Sequence, residues 1–220
     1  MTPQEAAILA KVPRYFRGRW LQGYARGKLK SDPVYRASFE MIGTSDLPLL
    51  DVGCGMGLHA FYLRERGYSA PITGLDVDER KIADGQRAIE QGGYSDVTLM
   101  SGDGAALPAF SGHVSMLDVL HYFPAEQQPA ILSAMAQRVA PGAWCIIRTT
   151  PRDGSWRFRM TQAEELFARC ISWMACPAIA FPTLESVQAQ FPVEQFEHDV
   201  RPLWGRTPFN SWLLAFRRRS

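Results

Sequence analysis

From Pro48 the chain alternates short apolar runs with longer stretches whose apolar positions recur at helical spacing. The apolar runs are "LPLLDVG", "APITGLDV", "DVTLMSGD", "HVSMLDVLHYF" and "AWCIIRTT". Between them, residues 58–66, 78–91 and 124–139 read as helices. Strands separated by helices of that length predict βαβ units and a parallel sheet. Right-handed crossovers then give an α/β, doubly wound sheet with its ligand crevice at the carboxyl ends of the strands.

The flanks follow other patterns. Residues 1–47 are helix-like and aromatic, broken by glycines and by Asp32-Pro33, and read as an N-terminal helical lid before a core of 48–220. Within that core, 151–191 reads as a helical cap insertion. "TQAE" at 161–164 has capping-box spacing and predicts a helix start, with Leu166, Phe167 and Ile171 continuing its apolar face toward Trp173. Residues 192–218 read as two strands forming a hairpin on the sheet edge.

A length of 220 residues with 46% hydrophobic content is enough for one sizeable core without disulfides or a structural metal. A net charge of +2 does not by itself indicate nucleic acid, and the tail Arg217-Arg218-Arg219 is more simply a solvated end than a phosphate grip. The four cysteines match no zinc spacing, which suits a reduced, cytoplasmic setting. No apolar run approaches the roughly 20 residues of a membrane span, so no membrane is expected as a partner.

The chemistry concentrates after the first apolar run. Gly53, Gly55 and Gly57 lie in a G-x-G-x-G turn, where missing Cβ atoms let backbone N–H groups approach a ligand; a tight strand-to-helix turn is the plainer reading of the same triplet. The spacing differs from the G-x-G-x-x-G of dinucleotide binders. Asp51, two residues before Gly53, would repel a pyrophosphate but suits an ammonium or sulfonium. Asp76 follows the glycines by about 20 residues, where a carboxylate can chelate ribose hydroxyls. Asp103 ends the next strand and could accept from the exocyclic amine of adenine. Each acid alone could be a turn former; three in register at successive strand ends point to a ligand.

As an ordered set, "LLDVGCGMG", "ITGLDVDERKIADGQ", "VTLMSGDGAALP", "LDVLHYFP" and "VAPGAWCIIRTT" resemble the successive motifs of class I S-adenosylmethionine-dependent methyltransferases over residues 48–150. The resemblance implies a Rossmann-like, mostly parallel seven-stranded sheet with its last strand antiparallel. It implies S-adenosylmethionine as cofactor, with Gly53, Cys54 and Gly55 facing the methionine part and Asp51 supporting its amine. Asp76 would take the ribose hydroxyls, Val77 the adenine face, Asp103 and Gly104 the adenine edge, and Leu117 and Asp118 the junction with the acceptor. Gly112 departs from the pattern, since relatives commonly carry Asp there, and His113 and Ser115 make that strand less apolar than usual.

Methyl transfer from a sulfonium needs alignment and exclusion of water more than a fixed triad. A base is required only for an acceptor that holds its proton tightly. His121 and Tyr122 follow the fourth strand on the expected acceptor side; His121 is a candidate base, or it caps the helix near Pro124. Arg148 ends the fifth strand and offers a fork for an acidic acceptor, or pairs with a nearby carboxylate. Lys28 and Arg26 either reach the cofactor carboxylate or form a solvated helix end. Rings in the flanks, such as Tyr15, Trp20, Trp156 and Trp204, suit an apolar pocket, although packing onto the sheet accounts for most of them. The segments "DVLHYFP" and "IIRTTP" are similar to small methyltransferases of aryl-polyene or fatty-acid-like synthesis, which implies an aromatic or acyl acceptor that an acyl carrier protein could present. RNA or protein methylation and a non-catalytic, cofactor-binding partner subunit stay open as alternatives, as does a homodimer. No metal site is expected, because Asp118 alone does not form an acidic cluster.

Overall fold

The computed structural model describes residues 2–170, 179–205 and 207–220, with the side chains of 165–170 left aside. Its chain order is α1 (Pro3–Lys11), α2 (Arg19–Ser31), α3 (Val34–Ile42), β1 (Leu49–Val52), α4 (Leu58–Glu65), β2 (Ile72–Asp76), α5 (Glu79–Gly92) and β3 (Val97–Ser101). Then follow β4 (His113–Leu117), α6 (Gln128–Arg138), β5 (Trp144–Thr149), α7 (Trp156–Cys170), α8 (Leu184–Gln188), β6 (Phe196–Pro202) and β7 (Trp212–Arg218).

The seven strands form one sheet in the order β3-β2-β1-β4-β5-β7-β6. β1 to β5 run parallel; β7 pairs antiparallel with both β5 and β6. The strand order reverses between β1 and β4, so the crevice expected of a doubly wound sheet opens above their carboxyl ends. The sequence expectation of a mostly parallel seven-stranded sheet is thus met.

Both faces of the sheet are covered, which explains why β1 and β4 are buried on both sides, polar Asp51, His113 and Ser115 included. On one face Phe16, Phe61, Leu63, Ile72 and Leu213 pack beneath α1 to α5. On the other, Leu50, Met116, Ile131, Met135, Phe191 and Phe216 pack beneath α6 and α8. α1 begins with a full capping box, Thr2 and Glu5 exchanging bonds. α2 and α3 are separated at Asp32-Pro33, where Asp32 Oδ1 accepts from the Val34 N–H.

Two helix starts depart from the sequence reading. α6 begins at Gln128, because Pro124 to Gln127 form a turn closed by Gln127 N–H on the Pro124 carbonyl. α7 begins at Trp156 rather than at "TQAE", with Ser155 Oγ accepting from the Phe158 N–H at 3.1 Å. Thr161 is inside the helix, its hydroxyl donating back to the Arg157 carbonyl. A capping box is a local spacing, and an earlier start with its own side-chain acceptor overrides it. Ile171 and Trp173 lie outside the described residues. Among the described residues no helix is long and apolar enough to cross a membrane.

Candidate active site

The turn after β1 is shaped by backbone conformations that side chains resist. Gly53 and Gly57 have φ of 74° and 83°. A Cβ at Gly53 would also lie 2.3 Å from Val119 Cγ2, so the position is closed to a side chain by conformation and by space. The N–H groups of Gly53 and Cys54 both donate to the Leu75 carbonyl, which binds the turn to the end of β2. Gly55 differs: a Cβ there would meet nothing within 4 Å, so the turn is open at its crest.

The acids expected around that turn occupy three settings. Asp76 ends β2 with Oδ2 accepting from the Gly55 N–H at 2.8 Å and Oδ1 from the Asp78 N–H at 2.9 Å. Both oxygens are thereby oriented, and each keeps a lone pair for a hydroxyl donor. Asp103 is exposed, with Oδ1 accepting from the Ala105 N–H. Gly104 next to it is buried, and a Cβ there would meet the Phe123 ring at 2.9 Å and Val52 at 3.0 Å. Asp51 is buried under the turn; Ser115 Oγ donates to its Oδ1 at 2.6 Å. Burial, with Asp51 and Asp76 close by, pushes the Cys54 thiol well above its ordinary range, so this cysteine faces the turn as a neutral group.

These residues fit the nucleoside and amino-acid ends of S-adenosylmethionine. Val77, beside Asp76, leaves 70% of its surface exposed, an apolar plate that a base would cover. With an open crest at Gly55 and a pre-oriented carboxylate at Asp76, the turn has room and donors for a ribose-bearing ligand.

On the other side of the crevice the structure brings together Leu117, Asp118, His121, Tyr122 and Arg148 at the ends of β4 and β5. Asp118 is one of two described non-glycine residues with positive φ, at 60°. Its N–H donates to the Arg148 carbonyl at 2.9 Å, and its Oδ1 accepts from Arg148 Nε at 2.7 Å. Arg148, itself buried, also donates to Asp32 at the α2–α3 break. Lys28 joins this network, 3.6 Å from Asp32 and 3.8 Å from Asp118.

Of the two readings of Arg148, the structure displays the ion pair: its fork is engaged by Asp118 and Asp32. Lys28 likewise turns to carboxylates of the protein, not out to a solvated helix end, whereas Arg26 is exposed. Burial alone would raise the Asp32 carboxyl, but Arg148 and Lys28 beside it and the Val34 N–H hold it below the ordinary carboxylate range.

His121 lies in a short 3-10 turn, Leu120–Tyr122, with 2% of its surface exposed. Its ring stacks on Phe181 at 5.4 Å and tilts against Tyr122 at 4.2 Å, and Phe158 meets Phe181 edge-on. The Ala180 N–H donates to the His121 carbonyl. The N-cap residue of α6, Gln127, makes no side-chain cap bond.

Several residues of this region carry no sequence signal. Asp32 reads only as a helix break, and its partner is 116 residues away. Buried Asn210 donates to the Pro151 carbonyl and Asp153 and accepts from Trp212 Nε1, tying the end of β5 to the start of β7. Ser38 and His59, both buried, read as ordinary helix positions. Among the described residues no group of three or more His, Cys, Asp or Glu could hold a metal ion.

Comparison with known proteins agrees with this architecture. Residues 49–142 match the family model described as "Methyltransferase domain". A ubiquinone biosynthesis O-methyltransferase of Idiomarina loihiensis is 32% identical over 122 residues, covering 54% of this chain and 49% of that protein. A demethylmenaquinone methyltransferase of Bacillus velezensis is 26% identical over 159 residues, covering 64% of this chain and 67% of the relative. The chain spans about half the length of the ubiquinone-biosynthesis relatives it matches. Among solved structures, magnesium protoporphyrin IX methyltransferase from Synechocystis PCC 6803 with bound SAH superposes with a TM-score of 0.67 at 19% identity, covering 98% of this chain and 95% of the other.

Proposed function

We propose that this chain, a member of the class I S-adenosylmethionine-dependent methyltransferases, moves a methyl group from S-adenosylmethionine to a small-molecule acceptor with an aromatic or acyl body. The observation that carries this reading is Asp76, held at both oxygens by backbone N–H groups beside the open crest at Gly55. When bound, the cofactor supplies an activated sulfonium methyl.

The chain's residues divide the remaining work. Asp76 binds the ribose hydroxyls and Val77 covers the base. Asp103 and Gly104 meet the base's edge, and Gly53, Cys54 and Gly55 line the amino-acid end above Asp51. Leu117 and Asp118 stand between cofactor and acceptor, with Asp118 fixed in place by Arg148. Tyr122, Phe158 and Phe181 wall an apolar acceptor space and keep water from it, which strengthens every polar contact inside. His121, next to Tyr122, holds or takes the proton of a hydroxyl acceptor. Arg148 serves the acceptor indirectly in this reading, since its fork is already engaged.

Titration calorimetry with S-adenosylmethionine and S-adenosylhomocysteine tests the cofactor. Wild type is expected to bind both, and Asp76→Ala to lose at least about a hundredfold in affinity, as two hydrogen bonds to a charged group disappear. Absence of binding to wild type would overturn the reading. An acceptor screen with hydroxylated aromatic and acyl compounds, free and carrier-bound, then tests the second substrate, with the pH–rate profile of His121→Ala assigning the base.

A further inference from the structure

Beneath the glycine turn Asp51 belongs to a buried polar chain whose other members the cofactor contacts above do not use. Ser38 on α3, His59 on α4, Asp51 at the end of β1 and Ser115 on β4 are all buried, although each comes from a different element. Ser38 Oγ is 2.7 Å from His59 Nε2. His59 Nδ1 is 3.4 Å from Asp51 Oδ1 and 3.4 Å from Ser115 Oγ. Ser115 Oγ donates to the same carboxylate oxygen at 2.6 Å.

The proton arrangement follows from what each group can do. A carboxylate only accepts, so the ring nitrogen facing it carries the hydrogen, and Nε2 accepts from the Ser38 hydroxyl. Ser115 Oγ thus donates to Asp51 Oδ1, and the His59 N–H faces that pair, 3.4 Å from both oxygens. The other oxygen of Asp51, Oδ2, accepts no hydrogen bond among the described residues. A buried carboxylate needs its charge compensated, and here the protein serves one oxygen and leaves the second for a partner of opposite charge.

We propose that His59 is a positioning residue for the amino-acid end of the cofactor. Clamped between Ser38 and Asp51, it fixes the carboxylate so that Oδ2 meets the ligand's ammonium. Through Ser38 it also makes that contact depend on α3 being docked. This inference rests on the methyltransferase reading above and adds a residue that does not touch the ligand. Tyr35 tilts against the His59 ring at 6.3 Å and closes the chain from the α3 side.

The test compares two ligands that differ only at the end in question. S-adenosylhomocysteine carries the amino-acid group; 5′-methylthioadenosine keeps the nucleoside and lacks it. Dissociation constants are measured for both with wild type, His59→Leu, His59→Asn and Ser115→Ala. In His59→Leu the affinity for S-adenosylhomocysteine is expected to fall about tenfold, while that for methylthioadenosine holds within about twofold. His59→Asn can place an amide N–H where Nδ1 stands and is expected to restore most of the loss. Ser115→Ala removes the donor to Asp51 Oδ1 and the hydroxyl that His59 Nδ1 faces, so it carries the same selective expectation even where His59→Leu does not fold. An equal fall for both ligands, or no fall for S-adenosylhomocysteine, would overturn the positioning role. Failure of wild type to bind either ligand would instead overturn the methyltransferase reading, and the inference with it.

Discussion

Around the ends of β1, β2 and β3 the crevice is made of main chain: left-handed glycines, N–H groups on the Leu75 carbonyl, and a carboxylate held by the Gly55 and Asp78 amides. Around the ends of β4 and β5 it is made of side chains from distant parts of the sequence, with Arg148 joining Asp118 to Asp32 and His121 lying under Phe181. A backbone cradle is specified by a few adjacent residues and tolerates little else. A side-chain wall can be rebuilt residue by residue, which suits the acceptor side proposed for it.

The contrast can be broken at its most rigid point first. Gly53→Val combines a left-handed φ with a collision against Val119, so a destabilisation of about 5 kcal/mol is expected, with loss of cofactor binding. Val119→Ala in the same chain should recover only the collision. Denaturant midpoints of the single and double variants check this, and full recovery would mean that conformation plays no part.

The second region should fail through charge. Arg148→Met leaves Asp32 buried without its main partner and is expected to cost about 3–4 kcal/mol at neutral pH. In the wild type the Asp32 carboxyl lies below its unfolded value, so its contribution is present above the ordinary carboxylate range and is lost as pH falls through the folded value. In the variant burial dominates and raises that carboxyl, so protonation relieves the fault. The gap in melting temperature between the two proteins should therefore narrow as the pH is lowered through about 4. A gap that stays constant would mean that Arg148 acts by packing alone.

Legibility in the sequence divided along the same line. Gly53 to Gly57, Asp51 and Asp76 lie within one βαβ unit, and each announces itself by type and spacing. Arg148 was visible as a fork at a strand end, but its partner Asp32 is joined to it only by the fold. The start of α7 was misplaced because "TQAE" has the right local spacing, whereas the structure starts the helix beside Ser155 and anchors that stretch through Asn210, far along the chain. Ser38 and His59 gave no signal, since a buried polar pair occupies helical positions that an apolar pattern also explains.

His113, at the opposite end of β4 from the crevice, sharpens the comparison by touching neither region. Burial pushes its imidazole down to about 4, with Nδ1 accepting from the Trp144 N–H. The folded value lies below the unfolded one, so stability is complete above about pH 6.5 and falls as pH drops toward 4, by about 3 kcal/mol in all. His113→Asn, whose amide oxygen can take the Trp144 bond, should flatten that stretch of the stability curve and leave ligand affinity unchanged. The smallest effect is expected at Asn210→Ala, about 1–2 kcal/mol, with faster amide exchange at the start of α7 and unaltered exchange around Gly55.

The placement of β7 between β5 and β6 has a consequence for how the protein comes into being on the ribosome. β5 is synthesised well before the strand that pairs with its free edge, and until β7 emerges that edge presents unpaired amides and carbonyls beside a strongly apolar surface. A nascent chain halted between β6 and β7 would thus still need protection at β5, the point at which a chaperone or a misplaced strand competes for it.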